Sequence, residues 1–273
     1  MPSRREQQML VRMWVRVAPL LPARTPNPKG GRPWADDQAC FAGIVFALRN
    51  AVRWNHLPPP FPSGVTCGRR HRDWTAAGVW DRVWQLVLAE LAAARRLDTS
   101  ELFLDATFAE DRAGGLATAG RGAGCGVKIE AVTDRTGIPI GVATDAAGVS
   151  ETVLGPAALA CIPAAVYVPF GTPVMADRAC DSGPLRQHLA DEGFRLVARH
   201  RKGRVKPPTA DGRTLRRLTR RRVVERTFAW LHSFRRMVTR FEKRVEHYDG
   251  FVHLACAFIC LNRLVKWPLV LQP

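Results

Sequence analysis

The sequence predicts an α/β domain, with a mixed sheet flanked by helices, that follows a small all-helical domain. The first observation is that apolar residues near the start of the chain recur every three or four positions, as on one face of a helix. The second is that this period ends near Leu97, after which short strand-like runs alternate with helical stretches. We therefore predict a helical domain over residues 1–97 and an α/β domain over residues 98–273.

The first well-marked helix of the N-terminal domain follows Asp36 and Asp37, either of which is a candidate N-cap. Cys40, Ile44 and Leu48 recur at a spacing of four and form one apolar face. Prolines crowd the stretch 58–62, which predicts a rigid break after the helix.

Two further helices follow this break. Either Ser63 or Thr66 is a candidate N-cap of a short helix, and the apolar stripe from Trp80 to Leu91 predicts a longer helix behind it. A helix, a break, a short helix and a longer helix form the outline of a helix-turn-helix unit, although any small helical bundle shares it. Three arginines of the short helix are candidate contacts to a DNA groove, with a solvated helix face as the alternative: Arg69, Arg70 and Arg72.

The α/β domain is predicted from strand-like runs that alternate with stretches of helical periodicity. A glycine-rich stretch at 113–126, predicted to be flexible, separates the first two strands. Strands are predicted at 101–108, 127–134, 138–145, 173–177 and 194–199, and helices at 150–161, 182–192, 214–245 and 248–265. This order predicts a mixed sheet.

The charge of the chain is large and unevenly distributed. Lysine and arginine number 41 against 24 acidic residues, which gives a formal net charge of +17. This excess of positive charge favours a polyanionic partner. Residues 98–194 hold 13 acidic and 6 basic residues, whereas residues 195–244 hold 18 basic and 3 acidic ones. Apolar residues are threaded through the second block, which excludes a disordered basic tail. We expect the middle of the chain to hold cations and its flanks to bind phosphates.

Three carboxylates stand where a two-metal site would need them. Asp105 interrupts an apolar strand, where an unpaired charge is costly. Asp177 ends another strand, and Glu225 lies in the basic block. Taken singly, each is explained at least as well by a salt bridge or a helix cap. Together they supply the hard oxygen ligands that a pair of Mg²⁺ ions requires for phosphoryl transfer.

Several segments of the chain resemble one family of enzymes. They are GRPWADDQACFAGIVFALRNAVRWNHLP, WTAAGVWDRV, LDATF, GCGVKIEAVTD, GIPIGVAT, MADRACDS, VVERTFAWLHSFRRMVTRFEKR and HLACAFICLNRL. From Gly31 onward the chain resembles the DDE transposases of bacterial insertion sequences, in the group known as the insertion sequence five family. The resemblance implies a ribonuclease-H-like catalytic domain in which Asp105, Asp177 and Glu225 are catalytic and hold two Mg²⁺ ions, with Mn²⁺ as a substitute.

The activity implied by this resemblance is DNA transposition. The helical domain would bind the terminal inverted repeats of the element, and the α/β domain would cut the element end and transfer the freed 3′-OH to target DNA. Partners would be double-stranded DNA and, because two ends are paired, at least a second copy of the chain. Two alternatives stay open: a catalytically inactive DNA-binding protein, and a metal-dependent nuclease without strand transfer.

The sequence departs from the family around Glu225. The family places Tyr seven residues before this glutamate, Arg four before it and Lys seven after it, whereas this chain has Leu218, Arg221 and His232. On a continuous helix these offsets share one face with the glutamate. Arg221, His232 and Arg236 are therefore candidate phosphate contacts, with His232 the weaker because it is mostly neutral.

Two expectations concern the cell rather than the site. No run approaches the roughly eighteen apolar residues of a membrane span, and the basic start has no apolar core behind it. We therefore expect a cytoplasmic protein, and the resemblance implies that it is bacterial and associated with the nucleoid. The seven cysteines include no CxxC pair, and we expect neither disulfides nor zinc.

Overall fold

A computed structural model describes residues 3–23, 33–112, 126–200, 209 and 211–265. The glycine-rich stretch that we predicted to be flexible therefore lies, apart from Gly126, outside the described residues. The N-terminal helices are α1 (Arg4–Val17), α2 (Asp37–Asn50), α3 (Gly64–Ala76) and α4 (Val79–Ala93). The strands are β1 (Leu102–Asp111), β2 (Gly126–Thr133), β3 (Pro139–Ala146), β4 (Thr172–Met175), β5 (Phe194–Val197) and β6 (Thr239–Arg240). The remaining helices are α5 (Glu151–Ala160), α6 (Gly183–Asp191), α7 (Gly212–Arg216), α8 (Arg222–His232) and α9 (Val245–Leu264).

Helices α2 and α3 each begin at the first of the two candidate caps that the sequence offers for them. The Asp36 side chain accepts a hydrogen bond from the backbone N–H of Ala39 at 2.7 Å, and that of Ser63 accepts one from Thr66 at 3.3 Å. Each cap satisfies a backbone donor that the first turn of a helix leaves free. The predicted helical region is confirmed.

The sheet is mixed, as predicted. Its order is β3-β2-β1-β4-β5, with β1, β2 and β3 antiparallel and with β4 and β5 parallel to β1. The hairpin between β2 and β3 turns at Gly137, whose φ of +86° suits glycine. The central position of β1 places its residues next to both halves of the sheet.

Helices cover both faces of this sheet. Leu104 on β1 lies against Gly155 of α5, whereas Thr107, three residues further along, hydrogen-bonds to His232 of α8. Side chains an odd number of residues apart point to opposite faces of a strand, so α5 and α8 lie on opposite faces. The predicted layering of helix, sheet and helix is confirmed.

The predicted long helix over 214–245 is wrong. The chain runs through α7, a 3₁₀ segment at Arg217–Arg221, α8, a 3₁₀ turn at Arg235–Met237 and then the short strand β6. The helix ends because the chain turns to pair with β1, where the N–H of Glu110 donates to the carbonyl of Val238 at 2.9 Å. Strand pairing thus overrides the local helical period.

The last helix returns to the N-terminal region. α9 packs against α4, α1 and α3, and the His253 ring stacks on Trp84 with 5.5 Å between ring centroids. The buried apolar side chains of both regions form one continuous core. The domain boundary near residue 97 stays a prediction. Among the described residues, no helix is both long enough and apolar enough to span a membrane.

Candidate active site

Two predicted carboxylates meet where β1 and β4 lie side by side. Asp105 lies within β1, and Asp177 follows the end of β4 by two residues. The two strands are parallel, with Leu102 opposite Val174, so their carboxyl ends lie at one edge of the sheet. Asp177 also caps a 3₁₀ turn, accepting a hydrogen bond from the N–H of Ala179 at 3.1 Å. The capping role therefore coexists with its position at the site.

The guanidinium of Arg221 lies between these carboxylates. One of its nitrogens is 2.8 Å from a carboxylate oxygen of Asp105, and the other is 3.8 Å from an oxygen of Asp177. Burial raises the pKa of Asp105, and the nearby Arg221 charge opposes this rise without cancelling it. A positive group thus already occupies the space between the two aspartates.

Glu225 joins the site as part of an open cleft. It lies exposed on the first turn of α8. Together with Asp177 and Arg221 it lines a cleft of about 450 Å³, which we call the carboxylate cleft; its other lining residues are Ala176, Arg178, Arg199, Leu218, Thr219 and Arg222. Asp105 is linked to this cleft through Arg221. Among the residues that the structure describes, no three His, Cys, Asp or Glu side chains are already arranged to hold a metal ion.

We predicted that one continuous helix would bring the residues before Glu225 onto its face, and the structure brings them there in another way. Leu218 and Arg221 belong to the 3₁₀ segment, not to a continuous α-helix, yet both line the cleft with Glu225. His232 faces β1, where its Nε2 lies 3.1 Å from the Thr107 hydroxyl, and burial lowers its pKa. A mostly neutral His232 at physiological pH fits this position.

Two of the predicted DNA contacts are buried and have a structural role instead. Arg70 is only 6% exposed and forms an ion pair with Asp37 at 3.4 Å. Arg236 is fully buried, pairs with Glu242 and donates to the carbonyl of Val52 at 2.5 Å. The sequence pattern placed both on polar faces, but tertiary packing covers them, so neither is available to phosphate.

The other arginines of α3 remain exposed. Arg69 and Arg72 both lie on its surface. Arg72 lines a second cleft of about 450 Å³, which we call the α3 groove, together with Lys243, Arg244 and His247 from the segment around the start of α9. Cations from two distant parts of the sequence thus lie along one groove.

Two acidic residues near the site were not predicted. Glu130 on β2 is fully buried, and Glu151 is the first residue of α5. The charge of Asp105 contributes to raising the pKa of both side chains. Glu130 carries the same signal as Asp105, a charge within an apolar strand, and could have been found by the same rule. Glu151 looks in sequence like an ordinary acidic residue at a helix start.

Two family descriptions match this chain. Residues 12–84 match "Putative transposase of IS4/5 family", and residues 96–260 match "Transposase DDE domain". The second match covers more than half of the chain and includes the elements that carry Asp105, Asp177 and Glu225. The predicted resemblance is therefore confirmed at the level of the family.

Two curated relatives come from Burkholderia cepacia. The "Insertion element IS402 uncharacterized 16.2 kDa protein" is 45% identical over 101 residues, which is 35% of this chain and 67% of the relative. The "Putative transposase for insertion sequence element IS402" is 36% identical over 144 residues, which is 51% of this chain and 64% of the relative. The chain thus spans about two thirds of the length of each. No solved structure matches the chain.

Proposed function

The chain belongs to the transposases with a DDE domain, and from this membership we propose that it binds the ends of its insertion element, cuts them and joins them to target DNA. The observation that carries the proposal is the carboxylate cleft. There, the carboxylates of Asp105 and Asp177 flank the guanidinium of Arg221 beside the exposed Glu225, with several arginines around them.

The donor set of the cleft fits a hard divalent cation. Asp105, Asp177 and Glu225 offer only carboxylate oxygens, which Mg²⁺ and Mn²⁺ prefer. The position of the Arg221 guanidinium indicates that a positive charge is favoured between the two aspartates. These three carboxylates would hold two Mg²⁺ ions. When bound, the ions supply activation of a water and stabilisation of the leaving 3′ oxygen.

The protein's own residues would position the DNA. Arg178, Arg199 and Arg222 line the carboxylate cleft, where guanidinium groups can hold the phosphates on either side of the bond that is cut. Arg69 and Arg72 would bind the element end in or near the α3 groove, with Arg221 and His232 nearer the cut. In the joining step, the freed 3′-OH would attack a target phosphate and displace the 3′ oxygen of the adjoining target nucleotide, so no covalent protein intermediate forms. Pairing of two ends requires at least a dimer on DNA.

The proposal is tested with the DNA that flanks the gene. Wild type is incubated with labelled flanking DNA in Mg²⁺ or Mn²⁺, beside Asp177→Asn and Glu225→Gln, which keep the side-chain shape and remove the ligand charge. We expect cut and joined products from wild type and a loss of at least about 10³-fold in both variants. Salt-sensitive binding without cutting, equal in the three proteins, would overturn the catalytic part.

A nuclease without strand transfer is distinguished in the same assay. Such an enzyme cuts in Mg²⁺ and leaves no joined product at any DNA concentration. The freed 3′ end is followed directly by labelling that strand, so that cutting and joining are counted separately.

A further inference from the structure

Glu130 is buried in the sheet without a hydrogen-bonding partner. Its side chain is fully buried, and neither carboxylate oxygen has a hydrogen bond to any residue that the structure describes. A buried carboxylate in this state is costly, and natural proteins rarely keep one without a reason. Burial and the neighbouring acids raise the pKa of Glu130 to about 8. A buried carboxyl without a partner, one strand away from Asp105, indicates that a ligand binds near it.

The surroundings of Glu130 are acidic. It lies opposite Ala106 of β1, on the face that α5 covers, and the acid that acts on it most is Glu151 at the start of that helix. Lys128, two residues away on the same face, donates to the carbonyl of Val149 at 2.6 Å. The lysine therefore weakens the negative charge around Glu130 without forming a hydrogen bond to it.

Glu151 connects this buried acid to the carboxylate cleft. It is half-buried, and burial raises its pKa, as do the charges of Asp177 and Asp105. One of its oxygens accepts a weak hydrogen bond from the thiol of Cys180 at 3.8 Å. Burial raises the pKa of Cys180 to about 12, so this partner is a neutral thiol. Within the described part of the chain, Glu151 therefore has no cation as a hydrogen-bonding partner and keeps oxygen lone pairs for a ligand.

The charges that act on one another at this place do not balance. The negative ones are the carboxylates of Asp105, Glu130, Glu151 and Asp177, and the positive ones are Lys128 and Arg221. With Glu130 protonated, the form that its raised pKa favours near neutral pH, these groups leave a surplus of one negative charge; with Glu130 ionised, the surplus is two. A divalent cation would offset this surplus and favour the ionised form of Glu130, whereas a hydrophobic or neutral ligand would leave the surplus in place.

We propose that Glu151 is a further carboxylate ligand of the divalent cation held by Asp105 and Asp177, and that Glu130 is a positioning residue whose buried charge strengthens the hold on that cation. The inference rests on the proposed function, since that function supplies the cation. Glu151 lies near the turn that carries Asp177, because its carboxylate accepts the hydrogen bond from the thiol of Cys180, three residues further along the chain from Asp177. Glu130 acts through Glu151 and Asp105 and does not reach the DNA.

The experiment measures the affinity of the full chain for Mn²⁺ in the absence of DNA, by the electron paramagnetic resonance signal of free Mn²⁺. The variants are Glu151→Gln and Glu130→Gln, with Asp177→Asn as the reference for the proposed site. Glu110→Gln is the matched control, because Glu110 lies exposed on the same strand as Asp105. We expect the Mn²⁺ dissociation constant to rise about 10- to 100-fold in Glu151→Gln and Glu130→Gln and to stay within twofold in Glu110→Gln.

The reference variant separates this inference from the proposed function. If Asp177→Asn loses Mn²⁺ while Glu151→Gln and Glu130→Gln bind it like wild type, the inference is overturned and the proposed function stands. If wild type itself binds no Mn²⁺, both are overturned. A folded Glu151→Gln with weakened binding supports the inference even if Glu130→Gln fails to fold, and circular dichroism of each variant gives the folded fraction.

Discussion

Two regions of this molecule pair an arginine with a carboxylate, and they do so in opposite ways. One is the seam between the N-terminal region and the segment 236–251, formed by Trp54, His71, Arg236, Glu242 and Phe251. The guanidinium of Arg236 lies over the rings of Trp54 and Phe251, at 5.3 and 4.9 Å from their centroids, and pairs with Glu242. The other region is the carboxylate cleft.

The difference between them is access to solvent. The Arg236 side chain is 0% exposed and its carboxylate partner 3%, whereas Arg221 is 24% exposed and its partners Asp105 and Asp177 are 18% and 45% exposed. A buried pair cannot exchange its partner without unfolding, because each charge would be left alone in an apolar place. An open pair can exchange its partner for a metal ion or a phosphate. The same two residue types therefore hold the fold together in the seam and remain available for chemistry in the cleft.

The largest effect is expected at the seam. Arg236→Ala leaves Glu242 buried and unpaired and removes the cation from between the aromatic rings. The free energy of unfolding should fall by about 3–5 kcal/mol, as measured by urea denaturation. The double variant Arg236→Met with Glu242→Leu removes both charges and should be less destabilised than Arg236→Ala. A loss of under 1 kcal/mol in Arg236→Ala would contradict the view that this pair is locked.

The seam should also make stability depend on pH. His71 is buried against Phe251 and its Nε2–H donates to the carbonyl of His247 at 2.7 Å; burial lowers its pKa to about 3. In the unfolded chain, the His71 ring takes up a proton below its ordinary pKa near 6.5, whereas in the folded chain it stays neutral. Stability therefore falls as the pH falls below about 6.5.

Between pH 7 and pH 5 this histidine should remove about 2 kcal/mol of stability. The measurement compares urea denaturation of wild type and His71→Gln at both pH values, since Gln keeps a donor for the His247 carbonyl. His56→Gln, at an exposed position, should keep the pH dependence of wild type. An unchanged pH dependence in His71→Gln would show that the buried ring is not the source.

The cleft should respond more weakly to loss of its arginine. Arg221→Gln removes the cation between Asp105 and Asp177, but water can reach the pair, so we expect a loss of stability of about 1 kcal/mol or less by the same method. Arg222→Gln, an exposed neighbour in the same cleft, is the matched control. A loss as large as that of Arg236→Ala would remove the distinction between the two regions.

The smallest effect concerns phosphate binding in the α3 groove. For duplex DNA, a plot of log affinity against log salt concentration has a negative slope. The double variant Arg72→Gln with Lys243→Gln should make this slope less steep by about 2, because each lost phosphate contact removes about 0.9. Arg12→Gln removes an exposed arginine of α1 and should change the slope less. If the double variant keeps the salt dependence of wild type, the DNA does not bind in the α3 groove.

Much of this architecture could be predicted from periodicity. The strands of the α/β domain, the caps at Asp36 and Ser63 and the apolar last helix are local features, and the structure has all of them. The continuous helix over 214–245 failed because β6 pairs with β1, a partner more than a hundred residues away. Such pairing leaves no signal in the local apolar pattern.

The site was partly predictable for the same reason. Asp105 is visible as a charge within an apolar strand, but Arg70 and Arg236 look in sequence like the exposed arginines beside them. Only tertiary packing shows that both are covered. Likewise, Arg221 was expected to contact phosphate through a helix face, and the structure places it between two carboxylates. A single sequence carries no information about which cation pairs with which anion across the sheet.

The most direct test of the central claim is strand joining by the Asp105→Asn variant. Labelled element ends with a preformed 3′-OH are mixed with target DNA in Mn²⁺, so that joining is measured without the cutting step. We predict that wild type forms joined product and that Asp105→Asn forms at least about 10³-fold less while binding the same DNA with unchanged salt dependence. Equal joining by both proteins would contradict the assignment of the carboxylate cleft as the active site.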